Sequence, residues 1–257
     1  MSFLFNTFIY QPIYNFLIVV YNIVPFHDFG VAIIIVTVAI KAVLIPLSRK
    51  QIESQKKMQE MQPQIKEIQN KYKNDKEKQS RALMEFYKEN KANPFSGCLP
   101  LIVQLIILIA IYRVLFNISR NNLMVDGNIL YSFVQNPGQI NRMFLNIIDL
   151  SSVLNLGKLT LASIPHMALV IAAALLQYIQ SKMLMAKQTF KPKKNGEPDF
   201  SQMMAKQMLY MGPLLTLFIG IKFPAGLALY WLVSTMFMII QQRYIIRKKT
   251  KEKVKSN

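Results

Sequence analysis

The stretch AIIIVTVAIKAVLIPLSRK, residues 32–50, decides how the rest of the chain is read. From Ala32 to Leu47 it is apolar except for Thr37 and Lys41, and beyond Leu47 it turns basic. About 20 apolar residues cross a bilayer as a helix. A lysine inside such a run costs about 2.5–3.5 kcal/mol on insertion scales. The run therefore reads as a membrane span, 29–47, with Lys41 as the residue that needs a reason.

Four further runs have span character: 98–117, 161–183, 207–222 and 224–246. The last two are separated at KFPAG, where Pro224 and Gly226 suit a tight turn. Helices are the expected spanning form, because hydrocarbon offers no partner to an unpaired backbone group. The runs also lack the period-two alternation of a membrane barrel.

The 257 residues are 52% hydrophobic and carry 31 Lys+Arg against 13 Asp+Glu, a formal net charge of +18. Such a chain is either a nucleic-acid binder with its charge spread over a soluble fold, or a membrane protein with its charge in the loops of one side. The distribution selects the second. Twelve Lys and Arg fall in 48–97, six in 182–206 and seven from Arg243 onward. The segment 118–160 has only Arg120, Arg142 and Lys158, and residues 1–28 have none. The positive-inside rule then puts the N-terminus outside and the tail in the cytoplasm. Arg113 and Lys222 lie near outer ends, where long side chains snorkel.

Residues 1–28 lack the basic start of a cleavable signal peptide. Within them Gln11, Asn15 and Asn22 share one helical face, and Ile13, Phe16, Leu17, Val20 and Val24 the other. This reads as an amphipathic helix lying in the outer interface. In 48–97, Met58, Met61, Ile65, Ile68 and Tyr72 form one seam. Pro63 predicts a kink or a helix start. Asn74, with Glu77 three residues on, predicts the cap of a return helix carrying Leu83, Phe86 and Tyr87. The segment is expected to be a cytoplasmic helical hairpin whose methionines, Met58, Met61 and Met84, either close it or meet an incoming apolar segment. The tail 247–257 is expected to be disordered and to bind anionic lipid or an acidic partner such as ribosomal RNA.

With orientation assigned, Lys41, Gln104, Gln177, Gln180 and Ser181 fall in the cytoplasmic halves of their spans, with Gln207 and Tyr210 at the same depth. Thr37 shares the face of Lys41, and Tyr230 and Ser234 lie nearer the middle. Converging faces of this kind make a hydrated cavity open to the cytoplasm and sealed outside, which removes much of the cost of a buried charge. Two plainer readings stand beside it: Lys41 snorkels to the inner headgroups, or Gln104 and Gln177 are interhelical hydrogen-bonding glue. Cys98 stands alone, so neither an internal disulfide nor a thiolate metal cluster is expected. His27 and His166 show no ligand spacing, and no nucleophile and base cluster, so neither a metal, a cofactor nor catalytic chemistry is expected.

Four stretches carry a family resemblance: AVLIPLSRKQIESQKKMQEMQPQIKEIQNKYKNDKEK (42–78), EFYKENKANPFSGCLPLIVQ (85–104), AIYRVLF (110–116) and FPAGLALYWLVSTMFMIIQQ (223–242). In order and spacing the chain resembles the YidC-type membrane protein insertases, including their mitochondrial and chloroplast relatives, over about residues 10–246. The resemblance implies an all-α polytopic membrane protein of the bacterial cytoplasmic membrane. Its parts would be five transmembrane helices, an N-terminal interfacial helix and a cytoplasmic hairpin, without the large outer domain of Gram-negative members. It implies a hydrophilic groove for nascent membrane proteins, with the groove's basic residue at Lys41, its glutamine at Gln104 and its aromatic pair at Tyr230 and Trp231. Relatives usually carry arginine where Lys41 stands; lysine lacks the bidentate fork. The implied partners are nascent membrane proteins, the ribosome on the basic cytoplasmic side, the Sec translocon, the signal recognition pathway and anionic lipids. The rival reading is an ion or solute transporter with Lys41 in its pathway.

Overall fold

The computed structural model describes residues 3–93, 99–184 and 200–255. Cys98 and the basic residues Lys187, Lys191, Lys193 and Lys194 lie outside them. The chain starts with a short turn, α1 (Phe3–Phe5), a π-helical turn (Asn6–Tyr10) and α2 (Gln11–Ile23), which together form one apolar helical segment. Residues Pro25–His27 make a 3₁₀ turn in which Phe26 has φ 61°. Asp28 then caps α3 (Phe29–Val43) by accepting from the backbone N–H of Val31 at 3.0 Å.

The apolar run 32–47 does not continue straight to Leu47. α3 ends at Val43, and α4 (Ile45–Glu60) leaves it at an angle of 65°. Pro46 explains the bend. It has no N–H to offer the carbonyl of Ala42, and its ring crowds that carbonyl. Lys41 thus sits in the last turn of α3, at the elbow.

α5 (Gln62–Lys71) starts anew with Pro63 in its first turn, where a missing N–H costs nothing. α6 (Lys76–Glu89) folds back against it, with Gln79 Nε2 donating to the carbonyl of Gln69 at 2.7 Å. Its cap is Asp75 rather than the expected Asn74: Asp75 adopts the extended φ/ψ of a cap and accepts from the backbone N–H of Lys78. Met61 and Ile65 are buried along the predicted seam.

Four long helices follow and make the rest of the bundle: α7 (Leu99–Arg120), α8 (Ile164–Leu184), α9 (Phe200–Lys222) and α10 (Ala225–Lys255). α10 is the axis, packing on α8 and α3 and touching α4, α7 and α9. It runs unbroken into the basic tail, which sequence reading leaves disordered. No Gly or Pro interrupts 227–255, so nothing ends the helix there. α8 and α9 pack closely through small residues, as lipid-embedded helices do when dispersion rather than hydrophobic burial holds them. A Cβ on Gly220 would fall 2.7 Å from Val170 Cγ1.

The connection 121–160 carries a two-residue antiparallel pair, β1 (Met143–Phe144) and β2 (Ile148–Asp149). It docks on the face of α2 that holds Gln11, Asn15 and Asn22. Asn15 donates to the carbonyl of Ile129 at 2.9 Å and accepts from the N–H of Tyr131 at 2.6 Å. Gln11 also donates to Ile129, and Asn22 to Gln135. The polar face of α2 is thus occupied by loop backbone. The same connection meets the start of α10, where the N–H groups of Ala225 and Gly226 donate to the carbonyls of Ser152 and Leu150. These contacts define one end of the bundle. The α4–α6 segment and the basic end of α10 define the other.

Among the described residues, four helical segments are long and apolar enough to cross a membrane: Phe3–Ile23, Ile102–Arg120, Leu161–Met183 and Ala225–Arg247. The bent pair Phe29–Val43 and Ile45–Met58 brings the count to as many as five, and Leu209–Lys222 is a shorter apolar helix. The protein is an all-α polytopic membrane protein.

Candidate functional site

A polar seam runs along α10 where it meets α3, α7 and α8. Trp231, Ser234, Thr235 and Met238 recur at helical spacing, so they share a face of α10. On one flank, Lys41 Nζ donates to Gln104 Oε1 at 2.8 Å, and Ser234 Oγ donates to the same oxygen at 3.2 Å. On the other flank, Trp231 Nε1 and Thr235 Oγ1 both donate to Gln177 Oε1, each at 3.3 Å. Met238 joins the flanks. Its sulfur lies 3.7 Å from Lys41 Nζ and 3.6 Å from Gln180 Nε2.

Each glutamine oxygen thus accepts from two donors, which uses both of its lone pairs. Inside a bundle this matters, since an unpaired buried polar group is expensive. The seam is largely closed. Lys41 is 8% exposed, while Ser234 and Tyr230 are fully enclosed. Gln104 and Gln177 are half-buried and form its accessible edge. The side chains that sequence reading sets around open water meet one another instead.

Of the site residues read from the sequence, Lys41, Gln104, Gln177, Gln180, Trp231 and Ser234 come together in this seam. Tyr230 lies beside Ser234 and Gln104, with its hydroxyl buried. Thr37 stays out. Its hydroxyl returns to the carbonyl of Ile33 at 2.6 Å, an intrahelical bond. Gln207 and Tyr210 are exposed, with Tyr210 stacked on Tyr178. At the basic end, Met61 is buried and Met58 half-buried, whereas Met84 is 60% exposed.

Thr235, Met238 and Gly212 are members that sequence reading misses. Thr235 and Met238 follow Trp231 at i+4 and i+7, a spacing that picks them out once Trp231 is chosen. Gly212 brings α9 against Gln177, since a Cβ there would fall 3.3 Å from Gln177 Nε2.

The seam holds one cation and several neutral donors and acceptors, and the partners of Lys41 among the described residues are neutral. Among the described residues no group of three or more His, Cys, Asp or Glu is placed to hold a metal ion. The arrangement suits noncovalent binding of polar or acidic chain, since an ammonium bonds a carboxylate more strongly than a neutral amide.

Comparison with known proteins agrees on one family. The family model of the 60Kd inner membrane protein matches residues 19–253. The membrane protein insertase YidC of Fusobacterium nucleatum subsp. nucleatum is 32% identical over 245 residues, covering 94% of this chain and 98% of that protein. The proteins of the same name from Geotalea uraniireducens and Beijerinckia indica subsp. indica are 34% and 32% identical. They cover 85% and 94% of this chain, which spans 34% and 37% of their own lengths. The chain therefore matches nearly all of one relative and about a third of the other two. With a match across most of its length, this chain belongs to the 60Kd inner membrane protein family.

Proposed function

We propose that this chain inserts nascent membrane proteins into a bacterial cytoplasmic membrane, using the Lys41 seam as the polar surface that receives the client. The observation that carries the reading is the neutral company of Lys41: an ammonium inside the bundle, bonded to Gln104 Oε1 and touching Met238 Sδ. A client carboxylate or backbone carbonyl entering past Gln104 and Gln177 replaces these weak contacts with stronger ones. The seam thereby opens into an inward-facing groove. Part of the client's polar flank stays solvated, so less hydrocarbon remains for it to cross. The apolar outer faces of the helices then receive its hydrophobic segment.

The charge distribution supports an N-terminus outside and a cytoplasmic α4–α6 hairpin and tail. In that orientation α3 with its bend, α7, α8, α9 and α10 make five spans, and α2 lies at the outer interface under the 121–160 connection. Exposed Met84 offers a soft apolar contact to clients, whereas Met61 closes the hairpin. The basic end is suited to the ribosome and to anionic lipid, beside the Sec translocon and the signal recognition pathway.

The test places a photocrosslinker at position 104 in the full chain, in vesicles programmed with a nascent single-span client. Capture of the client during insertion supports the reading. Insertion without capture at 104 sends the client along another route. Ion flux through the purified protein in the absence of any client replaces the insertase reading with a transporter.

A further inference from the structure

At the end of the bundle opposite the α4–α6 segment, the β1–β2 ribbon is wedged among the first turns of three helices. The Phe144 ring rests on Gly30 in the first turn of α3. The N–H of Gly226, at the start of α10, donates to the Leu150 carbonyl at 2.9 Å. Ser152 Oγ lies 3.4 Å from Nδ1 of His166, in the first turn of α8. α3, α8 and α10 therefore all begin at the level of this ribbon. The apolar segment Leu161–Met183, long enough to cross a membrane, begins there too, and its first residue, Leu161, is exposed.

The tip of the ribbon is apolar and open. Leu145 is 59% and Ile147 62% exposed. The N–H of Ile147 closes the turn on the carbonyl of Phe144 at 2.9 Å, and Leu145 (φ 51°) and Asn146 (φ 57°) are both left-handed. That conformation favours glycine and asparagine, so Leu145 stands where a small or polar residue is easier to hold. The turn before α3 repeats the pattern: Phe26 has φ 61° and is 94% exposed. Asp28 ties the two turns together. Its Oδ2 accepts from the N–H of Leu145 at 2.7 Å, while its Oδ1 caps α3. Phe26 lies two residues from Asp28, so the two apolar tips are neighbours. The charged pair on the ribbon is matched internally, with Arg142 Nε 3.3 Å from Asp149 Oδ2.

Large apolar side chains grouped on the surface mark a contact with something apolar. The height of the ribbon identifies the partner. It is level with the first turns of α3, α8 and α10, and exposed Leu161 and Ile164 continue the apolar surface down α8. Aromatic and aliphatic side chains at that depth settle into the boundary between headgroups and acyl chains. We infer that Phe26, Leu145 and Ile147 form a membrane anchor, which dips into the lipid interface beside α3 and holds the 121–160 connection at the membrane surface. Naming that leaflet the outer one rests on the orientation proposed above; the anchor itself does not. It is separate from the Lys41 seam and requires no client.

The experiment uses the full chain with Cys98→Ser, which removes its one cysteine, and with Leu145→Cys or Ile147→Cys carrying a fluorophore. The protein is reconstituted in phosphatidylcholine vesicles that hold a nitroxide near the top of the acyl chains in both leaflets, so a reversed orientation leaves the measurement intact. Quenching at 145 and 147 is expected to be severalfold stronger than at Asn128→Cys, an exposed turn of the same connection. Phe26→Ser together with Leu145→Ser is expected to lower the quenching at 147 to the level at 128. Equal quenching at 128 and at both tip positions, with free access to a water-soluble quencher, overturns the anchor. Quenching at 147 that does not fall in the double serine variant also overturns it, because the helices alone then set the depth. Protection of the labels that appears only at high protein-to-lipid ratio assigns the tip to a second copy of the chain and overturns the lipid assignment. Because no client is present, failure of the insertion reading leaves each of these outcomes unchanged.

Discussion

Lys41 and Gln104, 63 positions apart, meet at 2.8 Å, and the oxygen that takes the ammonium also takes the hydroxyl proton of Ser234. Three helices are thereby tied at one atom, Gln104 Oε1. In the proposed insertion reaction, the charge at this junction is what an acidic client would meet. Lys41→Ala is expected to slow insertion of clients with acidic translocated segments by roughly tenfold, the scale of one hydrogen bond to a charged group. Clients with uncharged segments should change little, and Lys41→Arg should keep most activity. Insertion rates in reconstituted vesicles check this; equal rates for Lys41→Ala and the parent on acidic clients remove the role of the charge.

The packing of α8 on α9 leads to a stability prediction. In Gly220→Ala the new methyl would meet Val170 Cγ1 and Cγ2 at 2.7 and 2.8 Å. Overpacking of this kind costs about 1–3 kcal/mol. A lower Tm in detergent is expected, and Val170→Ala in the same chain should restore most of it. Gly212→Ala should cost less, since its Cβ would meet the movable end of Gln177 at 3.3 Å. Equal losses at the two glycines would refute the packing account.

The cap of α6 leads to a pH prediction. The backbone N–H of Lys78, and then its ammonium at 3.1 Å, hold the Asp75 carboxyl below the ordinary aspartate range. A folded pKa below the unfolded one means the stabilisation is full above the unfolded value, about 3.9, and is lost as pH falls through the folded one. Amide protection in the first turn of α6, taken relative to the intrinsic exchange rate at each pH, should therefore be steady near neutrality and fall below about pH 4. Asp75→Ala should abolish that pH step and raise exchange at neutral pH. Asn74→Ala should do neither.

How much of this is legible in the sequence depends on how rare each signal is. A lysine or glutamine inside an apolar run stands out, so Lys41, Gln104, Gln177 and Gln180 can be found without coordinates. Thr235 and Met238 cannot be found this way, because a threonine and a methionine are unremarkable in a span. Their role follows from the rotation of α10 about its axis. Pro46 announces a bend, yet an apolar Ile45 and Leu47 on either side hide it within a longer run. Asn74 and Asp75 are both good caps, and only the backbone angles separate them. The segment 121–160 has no apolar period to read, and its place depends on tertiary contacts with α2. Closure of the seam is a tertiary result too, because buried polar groups on different helices satisfy one another.

The docking of that segment yields the last prediction. Asn15 is buried and does three things: it donates to the carbonyls of Gln11 and Ile129, and it accepts from the N–H of Tyr131. Gln11 Nε2 also reaches the Ile129 carbonyl at 3.1 Å, so in Asn15→Leu that oxygen keeps a partner. The N–H of Tyr131 loses the bond to Asn15, at a cost of about 1–3 kcal/mol if no other acceptor replaces it. Asn15→Leu should therefore speed exchange at Tyr131 and make 121–160 more sensitive to protease. Asn15→Asp keeps the acceptor but introduces a charge in a buried place, so it should fail as a rescue. Asn22→Ala, which loses only a solvent-facing bond to Gln135, should behave like the parent. If Asn15→Leu leaves both readouts unchanged, apolar contacts rather than the asparagine hold the connection on α2.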